Sequence, residues 1–112
     1  MKIRKGFVSN SSSSSFVINN TSNKTLSIAD FAKENIHLLH EFNDVYGWGG
    51  NYTDENFLKS AIEEEMFFAP NDGGICVFGD EQGTVVGNVF DYMLRAGGSS
   101  KNWNWKFYES QR

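Results

Sequence analysis

The C-terminal stretch alternates between large aromatic and polar side chains, and this alternation constrains the fold more than any other stretch. Trp103, Trp105 and Phe107 fall on one side of the repeat, and Asn104 and Lys106 fall on the other. A period of two is that of a β-strand, in which successive side chains point to opposite faces of a sheet. The tail is therefore predicted to be a strand with one buried aromatic face.

Two earlier stretches carry apolar residues at helical spacing, and each follows a residue suited to a helix N-cap. Ser27 is the first such cap, with Asp30 three residues later, where a carboxylate meets free backbone N–H groups. The stripe that follows predicts a helix over about Ile28–Asn43. Thr53 is the second cap, and its stripe predicts a helix that ends near Met66.

The remaining segments are shorter. Phe16–Ile18 is β-branched and aromatic and predicts a short strand. Ile75–Phe78 and Thr84–Val86 are β-type runs joined by a glycine-containing turn, which predicts a hairpin. Asn88 is expected to cap a third helix from Val89 to about Ala96.

Together these elements predict a small α+β domain, in which a mostly antiparallel sheet of three to five short strands packs against two or three helices. The chain has 112 residues, enough for one domain, and 15% of them are aromatic, which favours a packed core. Cys76 is the only cysteine, so a disulfide scaffold is excluded. No stretch approaches the ~20 apolar residues of a membrane-spanning helix.

The first fifteen residues differ in composition from the rest, so we divide the chain into a basic, Ser-rich leader (1–15) and a single α+β domain (16–112). The first 24 residues carry a charge of +4, whereas six basic and fourteen acidic side chains after them leave −8. An acidic body argues against nucleic-acid binding, because phosphate contacts require cations. Ser11–Ser15 has little apolar surface and is expected to form an irregular segment.

The N-terminal segment Arg4-Lys5-Gly6-Phe7-Val8-Ser9-Asn10, with the serine run and Phe16, resembles a signature of many uncharacterised bacteriophage and bacterial proteins. Those proteins differ widely after the signature, which covers about the first 18 residues. The ending, from Gly97 to Glu109, is similar to small hypothetical phage proteins. The resemblance implies a phage or mobile-element origin. It brings no known activity and no catalytic residues.

The best candidate for a binding site is the glycine-rich loop from Tyr46 to Tyr52. Its glycines break the preceding helix and allow Tyr46, Trp48 and Tyr52 to project into solvent. Exposed aromatic side chains dominate the energetics of protein interfaces. The same side chains are also suited to stacking on a sugar or a base. The structural alternative is a loop folded back so that Trp48 fills the core.

A second candidate is the run Glu63-Glu64-Glu65 at the end of the second predicted helix. Adjacent helical residues diverge by about 100°, so the three carboxylates cannot converge on one ion. A solvated acidic face and a surface for a cationic protein partner are the two interpretations.

Candidates for catalysis or metal binding are weak. His37 and His40 lie three residues apart on a predicted helix and are the weak metal candidates, but no further His or Cys group could complete a site. Cys76 lies inside an apolar run, without the base or positive charge that activates a thiolate.

The sequence therefore favours a non-enzymatic, protein-binding module of phage origin that works in the host cytoplasm, with inhibition of a host defence factor as its biological role. Its surface would combine the Tyr46–Tyr52 loop with the acidic residues Glu63–Glu65. The alternatives are a virion or assembly component that makes subunit contacts, and a small metal-dependent enzyme. We expect a protein partner, no cofactor, no nucleic acid and no membrane. Nothing in the sequence indicates an oligomeric state.

Overall fold

The computed structural model describes residues 13–46, 52–79 and 84–111, and within these ranges the chain forms six strands and four helices. The strands are β1 (Ser13–Asn20), β2 (Leu26–Ser27), β3 (Phe67–Phe68), β4 (Gly73–Gly79), β5 (Gly98–Ser100) and β6 (Trp103–Gln111). The helices are α1 (Ile28–Glu34), α2 (His37–Tyr46), α3 (Asp54–Glu63) and α4 (Val85–Met93). None of the helices in these ranges is long and apolar enough to span a bilayer.

The main sheet has four strands in the order β4-β1-β6-β5, and every neighbouring pair is antiparallel. The first strand of the described ranges is central: β1 pairs with β4 on one side and with β6 on the other. β2 and β3 form a separate antiparallel pair. Helix α4 packs on β4, and α3 packs on both α1 and α4. The predicted α+β class with a mostly antiparallel sheet is confirmed.

An aromatic cluster joins the sheet to the helices. The ring of Phe31 in α1 contacts those of Trp103, Trp105 and Phe90 at centroid distances of 5.1, 5.2 and 5.2 Å, each edge to face. Trp103 is 1% exposed and Trp105 is 7% exposed, so the predicted buried face of the C-terminal strand is confirmed for these two residues. Phe107, also predicted to be buried, retains 39% exposure beside a shift in the pairing of β1 with β6.

The serine run is not wholly irregular, because β1 begins at Ser13. Ser14 is 1% exposed and Ser15 is 3% exposed, between partner strands on both sides. The prediction of an irregular segment is therefore wrong for Ser13–Ser15. The reason is tertiary: two distant strands supply the hydrogen-bond partners that the serines would otherwise take from their own backbone. Residues 1–12 of the predicted leader lie outside the described residues.

The first predicted helix is two helices, α1 and α2, which break at Asn35. The Ser27 cap is confirmed: its Oγ accepts a hydrogen bond from Asp30 N at 3.2 Å, and Asp30 Oδ2 accepts one from Ser27 N at 2.8 Å. Asn35 is fully buried, and both its backbone N and its Nδ2 donate to Phe31 O at 3.0 Å. The side-chain amide of Asn35 thereby competes with the backbone N–H for the carbonyl oxygen of Phe31, and α1 ends here.

The predicted hairpin after β4 is wrong, because Thr84–Val86 starts helix α4. Thr84 is the N-cap, and its Oγ1 accepts from Gly87 N at 3.0 Å. Val86, Val89 and Phe90 are fully buried at helical spacing. The predicted cap at Asn88 is also wrong, since Asn88 lies one turn inside the helix.

Helix α3 begins as predicted, because Thr53 Oγ1 accepts a hydrogen bond from Asn56 N at 3.0 Å. It ends at Glu63, three residues before the predicted end at Met66. Glu65 then adopts a left-handed conformation with a φ of 52°, which turns the chain towards β3.

Candidate functional site

The candidate loop is described only at its two ends. Tyr46 is the last residue of α2, and Tyr52 precedes the N-cap of α3. Trp48, the third aromatic residue of the prediction, lies outside the described residues. Both tyrosine rings contact Phe42, at centroid distances of 5.3 Å for Tyr46 and 5.9 Å for Tyr52. Phe42 therefore links the two ends of the loop to the core, where it is itself 7% exposed.

Tyr46 also stacks on Tyr92 of α4, with ring centroids 4.8 Å apart and an interplanar angle of 28°. The two rings remain 43% and 40% exposed, and Val45 beside them is 58% exposed. We call Val45, Tyr46 and Tyr92 the aromatic surface. Because the rings pack against each other and against Phe42, their orientation is held before any partner arrives.

An ion pair with a buried carboxylate supports the α4 side of this surface. Arg95 donates from Nη2 to Asp91 Oδ1 at 3.0 Å and from Nε to the backbone oxygen of Asp91 at 2.6 Å. Asp91 is 1% exposed. The Arg95 guanidinium lies 5.8 Å from the centroid of the Tyr92 ring and also donates to Ser14 Oγ at 3.2 Å. The pair thus connects Tyr92 to the central strand.

The other end of the loop is held by two amide side chains. Asn43 donates from Nδ2 to the backbone oxygen of Tyr52 at 2.9 Å, and its Oδ1 accepts from the backbone N of Tyr52 at 3.1 Å. Asn88 donates to the Tyr52 hydroxyl at 2.8 Å. Tyr52 is therefore partly buried and hydrogen-bonded at backbone and ring, unlike the exposed residue that the sequence predicted.

A groove of about 500 Å³ opens beside the aromatic surface. Aromatic, aliphatic and charged groups line it together, so it suits an amphipathic ligand such as a protein segment. Its lining residues are His37, Leu38, Glu41, Val45, Tyr46, Tyr92, Met93, Arg95, Ala96, Gly97, Gly98, Ser99 and Trp105.

The acidic residues at the end of α3 do not line this groove. The loop precedes the start of α3 and Glu63 ends it, so about 15 Å of helix axis separates them. Glu63 and Glu65 are exposed, whereas Glu64 is 7% exposed, so only two of the three carboxylates face solvent. The combined surface predicted from the sequence stays a prediction, since most of its loop lies outside the described residues.

The two histidines have different surroundings. His40 Nε2 lies 2.9 Å from Asp54 Oδ1, which ties α2 to the first turn of α3 at the solvent-exposed surface. His37 lies in the groove wall beside Glu41. Among the described residues, no group of three or more His, Cys, Asp or Glu side chains is placed to hold a metal ion.

Cys76 lies in β4 and is fully buried. Burial raises the pKa of its thiol to about 12, and the negative charge of Glu64 acts in the same direction. Such a thiol stays protonated at neutral pH and is a poor nucleophile. Cys76 therefore acts as a small apolar core residue.

Sequence reasoning missed Val45, Tyr92 and Arg95. Tyr92 and Arg95 are three residues apart in the segment 89–96 that was predicted to be a helix, a spacing that places them on one face. That signal indicated two neighbouring exposed side chains. Their position beside Tyr46 depends on how α4 packs against α2, which no local pattern contains.

No match supplies an identity for this arrangement. No protein-family model matches the chain, and comparison with curated proteins and with solved structures finds no significant match.

Proposed function

We propose that this protein is a non-enzymatic protein-binding module of bacteriophage origin, which binds and inhibits a host protein in the host cytoplasm. The aromatic surface and the adjoining groove are its contact site. Val45 and Tyr46 lie at the end of α2, and Tyr92 faces them from α4. Trp48 lies two residues after Tyr46 in the chain and belongs to the proposed contact set.

The observation that carries this proposal is the exposed stack of Tyr46 on Tyr92 at the mouth of the groove. Tyrosine is enriched among the residues that dominate binding energy, because its ring offers a large apolar area and its hydroxyl a hydrogen bond. Side chains already fixed by their neighbours lose little conformational entropy on binding. The stack, the contacts of Phe42 and the Arg95–Asp91 pair provide that fixation.

Chemistry at the other candidate positions is less well supported. The Cys76 thiol is buried and has a raised pKa of about 12. His40 is paired with Asp54 at the surface. A binding role explains the exposed aromatic side chains, which an enzyme based on these groups would not require.

The proposal is tested by affinity capture from a lysate of the bacterial host, followed by mass spectrometry of the captured proteins. We expect one host protein at a defined stoichiometry. Tyr46→Ala and Trp48→Ala should each weaken its capture by about tenfold or more. Tyr108→Ala is the matched control, because Tyr108 is 53% exposed but lies on β6, outside the groove lining.

Each variant must first show the wild-type circular dichroism spectrum. Equal capture by the wild type, Tyr46→Ala and Trp48→Ala would contradict the proposed contact site. Co-purification of the protein with phage particles, with no host protein captured, would instead favour a virion component.

A further inference from the structure

A second exposed apolar region lies where α1 and α3 pack together. Ile62 is 64% exposed and Phe67 is 56% exposed. Phe67 has no ring contact with another aromatic side chain in the described ranges, in contrast to Tyr46 and Tyr92. The region therefore presents apolar area that nothing in the described chain covers.

Two cavities flank Ile62, and together they form one groove between α1 and α3. The first, of about 240 Å³, is lined by Ser27, Ala29, Ala61, Ile62, Glu65, Met66 and Phe67. The second, of about 260 Å³, is lined by Ala29, Asp30, Lys33, Leu58 and Ile62. Because Ala29 and Ile62 line both cavities, these two residues mark the middle of the groove. We call the groove with its flanking side chains the Ile62 surface.

One end of the Ile62 surface carries the carboxylate of Glu65, and the other carries the ammonium group of Lys33 beside the carboxylate of Asp30. Glu65 lies at one end and Lys33 at the other, and neither side chain forms a hydrogen bond or ion pair within the described residues. Asp30, near the Lys33 end, is already engaged, because its carboxylate accepts hydrogen bonds from Ser27 N and Oγ.

This arrangement is self-complementary. A two-fold axis through the middle of the groove brings Ile62 of one copy beside Ile62 of the other. The same axis places Glu65 of each copy opposite Lys33 of the other. A two-fold interface uses the same patch on both subunits. A patch with Glu65 at one end and Lys33 at the other therefore forms two equivalent charge pairs. An unrelated partner would need to supply this same order of charges around an apolar centre.

We propose that the Ile62 surface binds a second copy of this chain, as a weak two-fold dimer held by apolar contact at Ile62 and two reciprocal Glu65–Lys33 pairs. Two large side chains per copy and a narrow groove suit the small, transient class of interface. This surface lies on α1 and α3, whereas the aromatic surface lies on α2 and α4, so the dimer leaves the proposed host-binding site open.

The test is sedimentation velocity of the full chain from about 10 µM to about 1 mM, a range in which a weak dimer dissociates. The wild type should shift from monomer to dimer across this range. Ile62→Glu should remain a monomer throughout. Lys33→Glu and Glu65→Lys should each weaken the dimer by about tenfold or more, because each places like charges together at two symmetric positions.

Exchange of the charges at Lys33 and Glu65 provides the decisive controls. The double variant K33E/E65K restores opposite charges and should dimerise within about threefold of the wild type. An equimolar mixture of the two single variants should form a heterodimer more readily than either forms a homodimer, since the mixed pair again matches charge with charge. Lys59→Glu, a charge reversal one turn before Ile62 and outside both cavity linings, should have a smaller effect.

A wild type that remains monomeric over the whole range would overturn the proposal. A dimer that tolerates Ile62→Glu, or a folded double variant that fails to recover, would also overturn it. Far-UV circular dichroism of each variant establishes folding. Loss of host capture in the experiment above does not bear on this dimer, because the two surfaces share no residues.

Discussion

The aromatic surface and the Ile62 surface both expose large apolar side chains, but they are held in different ways. Tyr46 and Tyr92 stack on each other, contact Phe42 and adjoin the ion pair of Arg95 with buried Asp91. Ile62 and Phe67 line a groove that also contains the small side chains of Ala29 and Ala61. The rings of the first region are fixed through their contacts with buried Phe42, whereas the exposed side chains of Ile62 and Phe67 have no such ring contacts in the described ranges. Exposure alone therefore does not reveal what a residue contributes to stability.

The largest expected difference between the regions concerns their phenylalanines. Phe42 is 7% exposed and contacts the rings of Tyr46, Tyr52 and Tyr92, so Phe42→Ala should lower the free energy of unfolding by about 3–5 kcal/mol. Phe67→Ala should change it by no more than about 0.5 kcal/mol. Urea denaturation followed by tryptophan fluorescence measures both. Similar losses of unfolding free energy in Phe42→Ala and Phe67→Ala would contradict the proposed difference between the two surfaces.

The ion pair beneath Tyr92 should give the next largest effect. Arg95→Met keeps an apolar stem beside the ring but removes the charged hydrogen bonds to buried Asp91. We expect a loss of about 1.5–3 kcal/mol in the free energy of unfolding. Lys59→Met, which changes an exposed lysine, is the control and should have little effect. A neutral outcome for Arg95→Met would show that the aromatic surface does not depend on this pair.

The next effect is a pH dependence of stability that comes from Glu34 at the end of α1. Its carboxylate accepts hydrogen bonds from Ser100 Oγ at 2.6 Å, Asn102 N at 2.9 Å and Asn102 Nδ2 at 2.8 Å. Burial raises the pKa of Glu34, but these hydrogen bonds and the Lys101 charge outweigh it and leave the pKa below its ordinary value.

Because the pKa of Glu34 is lower in the folded state than in the unfolded state, the carboxylate stabilises the fold above the unfolded pKa. This contribution is lost as the pH falls through the folded pKa. In Glu34→Gln, the free energy of unfolding should therefore fall less steeply with acidification, by on the order of one proton or less. Chemical denaturation at a series of pH values from neutral to acid measures the slope. Parallel curves for the variant and the wild type would refute the assignment.

The smallest expected effect belongs to Ile62 itself. Ile62→Ser should leave the free energy of unfolding within about 0.5 kcal/mol of the wild type, because the side chain is 64% exposed. The matched substitution in the core, Ile28→Ser, should be strongly destabilising, since Ile28 is fully buried. Thermal unfolding in dilute solution, where the proposed dimer is dissociated, gives the comparison. A large loss for Ile62→Ser would assign this residue to the core.

The candidate site shows which side-chain positions a local sequence pattern can predict and which it cannot. The chain pattern identified Tyr46 as a surface aromatic residue, because a helix that runs into a glycine cluster leaves its last residue near solvent. It placed Tyr52 in the same exposed set, although the side chains of Asn43 and Asn88 hold it partly buried. Those partners lie 9 and 36 residues away along the chain, beyond any local periodicity.

Two mispredicted segments share one physical cause. Val85 and Val86 have β-branched side chains that favour strands locally, yet they begin α4, where Val86 N donates to Ser60 Oγ at 3.2 Å and Val86 is fully buried. Ser13–Ser15 lacks apolar surface, yet it forms part of the central strand because β4 and β6 supply partners on both sides. In both cases burial and long-range hydrogen bonds outweigh a weak local preference.

The sequence by itself determined the features that arise within one or two helical turns or along one strand. The Ser27 and Thr53 caps, the start of α3 and the buried tryptophans of β6 belong to this set. Only the tertiary structure decided which strand is central, where α4 begins and which exposed side chains meet. Those outcomes depend on contacts between distant residues, whose free energy is gained only when the whole core assembles.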